Sequence, residues 1–285
     1  MNKKLPLFAK ISIGLLSFWL LLFAFLPNLL VLVSSFLTKG ETEFLIYDGT
    51  LSNYAKIADP LYLSIFLSSF KIAVITTIST LILAYPFAFI LATTTKKYRS
   101  ILLLLVIIPF WTSSLVRTYA LIAILKTKGL LNALLLYLGF IDTPLEIMYT
   151  QTAVYIGMTY TLLPFMILPI YASIEKIDMR LLEAAKDLGA STIAQFTKII
   201  IPLSLPGIIA GVTLVFLPSL GMFFIADILG GAKDLIVGSF IRNQFLTFRD
   251  WPFGSSAAVV LTLIMFFMIY LYASASTKIG QKDSL

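Results

Sequence analysis

Long apolar runs alternate with short polar segments along this chain, and the runs exceed what the helices and strands of a soluble core use. One membrane crossing takes roughly 20 apolar residues. Runs of about that length lie at about 11–36, 72–92, 101–125, 153–174, 208–226 and 256–275. The apolar run from Leu61 to Ala92 is too long for one crossing. Lys71 splits it, so 61–70 reads as an interfacial helix or an extension ahead of the second span. Prolines lie within most runs: Pro27 with Asn28, Pro86, Pro109, Pro164 with Pro169, and Pro218. Lys3, Lys4 and Lys10 give the first run a signal-peptide start. Its length and the lack of a small-residue cleavage site make it a retained span. The pattern predicts an all-α, polytopic transmembrane helix bundle with six spans, in a single domain over 1–285.

One polar island stands out between the fourth and fifth runs, at 178–200. Leu181, Leu182, Ala185 and Leu188 fall on one face of a short helix, with Glu183, Lys186 and Asp187 pointing away. Asp178 is placed to cap its first turn, and Gly189 to end it in the left-handed conformation. Ser191 can cap a second helix with an Ile193–Phe196–Ile200 stripe, and Pro202, Pro206 and Gly207 are expected to break the chain before the next span. Two short helices at an angle suit docking rather than spanning.

These residues carry a resemblance. Glu183-Ala184-Ala185, three residues, Gly189, nine residues, Ile199, one residue, then Ile201-Pro202 resembles the EAA loop of ABC importer permeases. The family usually has Leu before the proline; Ile201 is a mild departure. The resemblance implies the type I ABC importer permease fold and a coupling helix that enters a groove on a separate ATPase. Glu183, Ala184, Ala185, Asp187 and Gly189 are then the ATPase-coupling residues. Their chemistry fits: small alanines allow close approach, Glu183 offers a charge, and Gly189 permits the turn.

Composition sharpens the exclusions. The 285 residues are 59% hydrophobic and 12% charged, against about 45–50% and 25% in soluble domains. The net charge of +7 is not gathered into a basic block, so nucleic acid is not a partner, and membrane lipid is. Cysteine and histidine are absent, which removes thiolate metal sites, the commonest metal ligand and the usual proton shuttle. No metal site is expected. Gly230-Gly231-Ala232-Lys233 falls short of a Walker A sequence. The chain is expected to be non-catalytic, with no bound cofactor of its own, ATP and Mg²⁺ belonging to a partner ATPase. Lys71, Arg117 and Asp227 are the scarce ionisable groups within the runs, all read as near outer ends, unlike the midplane charges of many ion-driven carriers.

Charge also orients the bundle. The N-terminus, 93–100, 175–199 and the tail hold twelve Lys and Arg; the three longer opposite loops hold seven. The positive-inside rule puts the twelve, both termini and the docking segment in the cytoplasm.

The likeness continues through 25–38, 108–120, 127–132, 141–150, 173–190, 227–241 and 249–254, which resemble the first (B-type) permease subunit of spermidine/putrescine importers. That family implies a bacterial inner-membrane complex with a second permease subunit, an ATPase dimer and an extracytoplasmic polyamine-binding protein, working by alternating access. A polycation wants carboxylates and aromatic faces, so Asp227, Trp111, Tyr119 and Tyr160 are the candidate pathway residues. Asp142, Glu146 and Asp234 are candidates for binding-protein contact or plain solvation. Arg117 would repel substrate and is expected to pair with a carboxylate or serve the binding-protein interface. A complex of the same type importing an opine, thiamine, sulfate or ferric iron is the alternative, and a secondary carrier the rival from another class.

Overall fold

The computed structural model describes residues 7–40, 45–231 and 235–282; Asp234 lies outside the described residues. All the elements it contains are helical, apart from a lone bridge between Thr38 and Ile46. Among the described residues, six helical stretches are long and apolar enough to cross a membrane: Phe8–Ser34, Pro60–Thr93, Ser114–Tyr137, Gln151–Ile174, Thr192–Gly221 and Trp251–Ser274.

Several helix boundaries depart from the sequence expectation, each for a physical reason. Lys71 does not interrupt α4, which runs unbroken over Pro60–Thr93. Lysine is a good helix former and can lift its ammonium away along a flexible stem. The first run is also continuous across Pro27, because α1 (Leu7–Leu20) passes through a π-turn at Leu21–Phe25 into α2 (Leu26–Ser34). There the Leu26 N–H bonds five residues back, to the Leu21 carbonyl. The same device recurs at Pro202. The π-turn Phe196–Ile200 joins α10 (Thr192–Gln195) to α11 (Ile201–Gly221), and the Ile201 N–H bonds back to the Phe196 carbonyl. A proline ring collides with the carbonyl four residues before it in an α-helix. Widening the preceding turn relieves that collision, so proline is absorbed rather than ending the helix.

Elsewhere the breaks are real. The third run does not form one helix over 101–125. α5 (Lys96–Ile107) gives way to a 3₁₀ turn at Ile108–Trp111 holding Pro109, and α6 (Ser114–Leu125) restarts after extended backbone at Thr112. A tight turn at Gly129 then leads into α7 (Leu130–Tyr137). α8 spans Gln151–Ile174 with both its prolines inside. The fifth span begins earlier than expected and ends at Gly221, where Met222 (φ −78, ψ 66) makes an inverse γ-like corner before α12 (Phe223–Gly230). Val237–Leu246 forms α13 where the sequence suggests only loop, and α14 runs over Trp251–Lys282.

The chain packs as two compact units. One holds the chain up to Ser64 with Phe240–Ile264, and the other holds Ile65–Ser239 with the chain from Met265. In the first, the Tyr62 ring packs on Phe253 and Phe240 at 4.9 and 5.5 Å, and Ser34 Oγ donates to Ser255 Oγ at 2.7 Å. In the second, α8 is the buried centre. One layer of core gathers Ala84, Ala88 and Leu91 of α4, Met166 and Ile170 of α8 and Val215 of α11. Another gathers Leu121, Leu125, Val154, Met158, Ile225 and Leu229. α11 lies close on α8 through Gly207, where a Cβ would come within 2.5 Å of the Pro169 carbonyl and 2.6 Å of Ser173 Cβ. Only a residue without a side chain fits that crossing.

Candidate functional site: the exposed elbow and the opposite end of the bundle

The polar island folds as an elbow. α9 (Arg180–Asp187) starts where Asp178 Oδ1 accepts the Arg180 N–H at 3.0 Å. It ends at Gly189, with φ +82. The Gly189 N–H bonds to the Lys186 carbonyl and the Ala190 N–H to the Ala185 carbonyl, both at 2.9 Å. This pair of crossed bonds is the Schellman arrangement, which satisfies carbonyls a helix end leaves open. Ser191 Oγ then accepts the Ala194 N–H at 3.3 Å, and Gln195 Nε2 reaches back to the Ala190 carbonyl at 3.1 Å. The elbow is held by its own hydrogen bonds, not by burial.

None of the side chains of α9 is buried. Glu183, Ala184, Asp187 and Gly189 are exposed and Ala185 is half-buried. Leu188 is 89% exposed and Ile193 76%. Leu188 and Ile193 thus leave an open apolar surface beside the charges of α9. Glu183 in the first turn and Lys186 in the last both complement the helix dipole.

Two contacts fix which ends of the helices lie together. Arg99 Nη1 bonds Glu175 Oε1 at 2.6 Å, while its Nη2 donates to the Ala92 and Thr94 carbonyls. The 93–100 loop therefore shares the elbow's end of α8. At the other end the Tyr149 N–H donates to the Leu229 carbonyl at 2.8 Å. α8, with 24 residues, separates the two ends by about 36 Å. Asp227 lies on α12 at the end away from the elbow, half-buried, and accepts from Ser239 Oγ at 2.7 Å. The backbone leading to Ser239 is pinned too: the Val237 N–H donates to buried Ser69 Oγ at 2.7 Å. Neither serine stands out in the sequence, since each acts across more than ten residues of chain.

The aromatic candidates are spread over three elements. Trp111 sits at the 3₁₀ break with 77% of its surface open, Tyr119 lies on α6 at 61% and Tyr160 on α8 at 41%. Tyr160 edges an apolar cavity of about 210 Å³ with Phe87, Leu105, Pro109 and Leu163, which has no carboxylate in its lining. Asp142 and Glu146 are on exposed loop or turn.

Arg117, on α6, does not make the expected carboxylate pair among the described residues, and its Nε is buried without a hydrogen bond.

Six apolar helices long enough to cross a membrane among the described residues, and a self-braced, uncovered elbow, are features of a transporter's membrane subunit. The chain belongs to the family described as binding-protein-dependent transport system inner membrane component, which matches residues 84–281. Among similar proteins is the spermidine/putrescine transport system permease protein PotB of Escherichia coli K12. It is 52% identical over 94% of this chain and 97% of its own length. The protein of that name from Salmonella typhimurium SL1344 is also 52% identical, over 93% of each chain. That of Haemophilus influenzae is 47% identical over 98% of this chain and 97% of its own. In fold the chain is similar to a solved bacterial alginate ABC transporter in complex with an alginate-bound periplasmic protein. The TM-score is 0.75 at 14% identity, covering 96% of this chain and 94% of that one.

Proposed function

We propose that this chain is a permease subunit of an ATP-driven importer that moves spermidine and putrescine across the bacterial inner membrane by alternating access. The elbow carries the reading. It carries Glu183, Ala184, Ala185, Asp187 and Gly189 on a helix and turn with no buried side chain, suited to enter a groove on a separate ATPase. The names of relatives 47–52% identical over nearly the whole chain support the cargo. ATP and Mg²⁺ are held by the partner ATPase dimer. A second permease subunit completes the pathway, and an extracytoplasmic polyamine-binding protein delivers the substrate. The excess of Lys and Arg in the polar segments that alternate with the elbow's supports a cytoplasmic elbow and cytoplasmic termini.

Asp227, at the opposite end, then faces incoming substrate and offers its carboxylate to an ammonium group. Trp111, Tyr119 and Tyr160 offer ring faces to the methylene stem and its charges. Such sites are weak by design, because a polycation held tightly at the entrance would not leave. The deciding experiment has two arms. An ATPase subunit should co-purify with this chain in detergent, and a strain lacking it should lose uptake of radiolabelled spermidine. Intact uptake would remove polyamines as the cargo; purification of this chain without any ATPase would remove the importer reading itself.

A further inference from the structure

We propose that Tyr85, Phe196 and Ser204 form a clamp that makes α4 follow the elbow, so that movement imposed on the elbow reaches a helix outside the docking motif. This rests on the reading that the elbow receives an ATPase. From Thr192 to Gly221 the helix is continuous, and the interruption nearest the elbow, ahead of Pro206 and Pro218, is the π-turn Phe196–Ile200. A helix under load bends most easily where its ladder is interrupted. Left alone, that turn would absorb a push on the elbow.

The contacts from α4 converge on this turn. The Phe196 ring stands edge-on to Tyr85 at 5.4 Å and to Phe89 at 5.9 Å. Those two residues are four apart on one face of α4. The Tyr85 hydroxyl also lies 2.8 Å from Ser204 Oγ, and Ser204 is fully buried. Ser204 Oγ also lies 3.1 Å from the Ile201 carbonyl, to which it can donate while accepting from the tyrosine. The clamp thus grips the helix on both sides of Pro202, at Phe196 before it and at Ser204 after it. Ala84, Ala88 and Leu91, on the gripped part of α4, pack into the same core as Met166 and Ile170 of α8. A displacement delivered to α4 is therefore passed to the centre of the unit. Tyr85, Phe196 and Ser204 act as positioning residues and touch neither nucleotide nor substrate in this role.

The test uses the assembled complex in proteoliposomes, with spermidine uptake and ATP hydrolysis measured on the same preparation. Phe196→Leu keeps an apolar side chain but removes both edge contacts, and Tyr85→Phe removes the hydroxyl bond alone. Aromatic pairs and buried hydrogen bonds of this kind support an effect of about tenfold for Phe196→Leu and about threefold for Tyr85→Phe on spermidine moved per ATP hydrolysed. ATPase co-purification should stay at the unmodified level, and Phe196→Tyr, which keeps the ring, should restore most of the ratio. A merely weakened fold lowers uptake and hydrolysis together and leaves their ratio unchanged. An unchanged ratio for both variants overturns the clamp while leaving the importer reading intact. An unmodified complex that lacks a co-purifying ATPase or spermidine uptake points instead to failure of that underlying reading.

Discussion

Replacing Gly189 in turn by Asn, Ala and Val grades the strain in the elbow without touching its neighbours. A Cβ built on Gly189 meets nothing within 4 Å, so the whole penalty is conformational and comes from φ +82. Asn tolerates that region well. Ala loses about 1–2 kcal/mol there, and Val more because its branch crowds the backbone. If the elbow must keep its bend to seat in the ATPase, that strain is charged against binding. At a factor of ten per 1.4 kcal/mol, Ala should weaken association with the ATPase subunit by about 5–30-fold. Val should weaken it further, and Asn by no more than about threefold. No side chain of α9 is buried, so the thermal unfolding of the purified chain should not change across the series. Titration of purified ATPase subunit onto the complex in detergent reads the affinity. Equal affinity for Gly and Val would refute the reasoning, and so would an Asn variant as weak as Val, because the loss would then follow side-chain bulk and not backbone strain.

Three further predictions follow from other contacts. Gly207→Val should abolish stable expression, because its Cβ would fall 2.5 Å from the Pro169 carbonyl, a backbone atom that cannot yield, and such overpacking costs at least about 1–3 kcal/mol; fluorescence-detected size exclusion would show aggregate in place of a monodisperse peak. Arg99→Ala should lower the unfolding midpoint by several degrees, since it breaks the ion pair to Glu175 and the bonds to two carbonyls at the end of α4, together about 1–3 kcal/mol. Asp227→Asn should cut spermidine uptake severalfold with no loss of ATPase co-purification, and equal loss of both would mark a folding defect.

What could be read from the sequence was local. Asp178, Gly189 and Ser191 act on backbone groups within a few residues, so capping rules alone place the elbow correctly. Lys71 and Pro202 mislead because a charge or a proline is judged by propensity, while the helix accommodates the first by its flexible stem and the second by a widened turn. The corner at Met222 has no local signal; Gly238, sixteen residues on, packs within 2.5 Å of the Gly221 carbonyl as measured from a built Cβ. Arg117 illustrates the same limit, since whether a carboxylate reaches it depends on how α6 restarts after Pro109, and no spacing rule reports that. Ser239 beside Asp227, and Tyr85 with Ser204, belong to the same class of contacts made at long range.

The widened turn ahead of Pro202 also sets a phase. Each residue of a regular helix rotates the next side chain by about 100°, so the extra residue it accommodates dials the direction in which Leu188 and Ile193 project relative to the membrane-crossing part of α11. Closing 196–200 into a regular α ladder with every residue kept would add about 20° at each of its residues and swing that projecting face about a quarter-turn around the axis. Grafting this elbow onto another permease, or shortening it, must therefore conserve the widened turn as strictly as it conserves the motif itself.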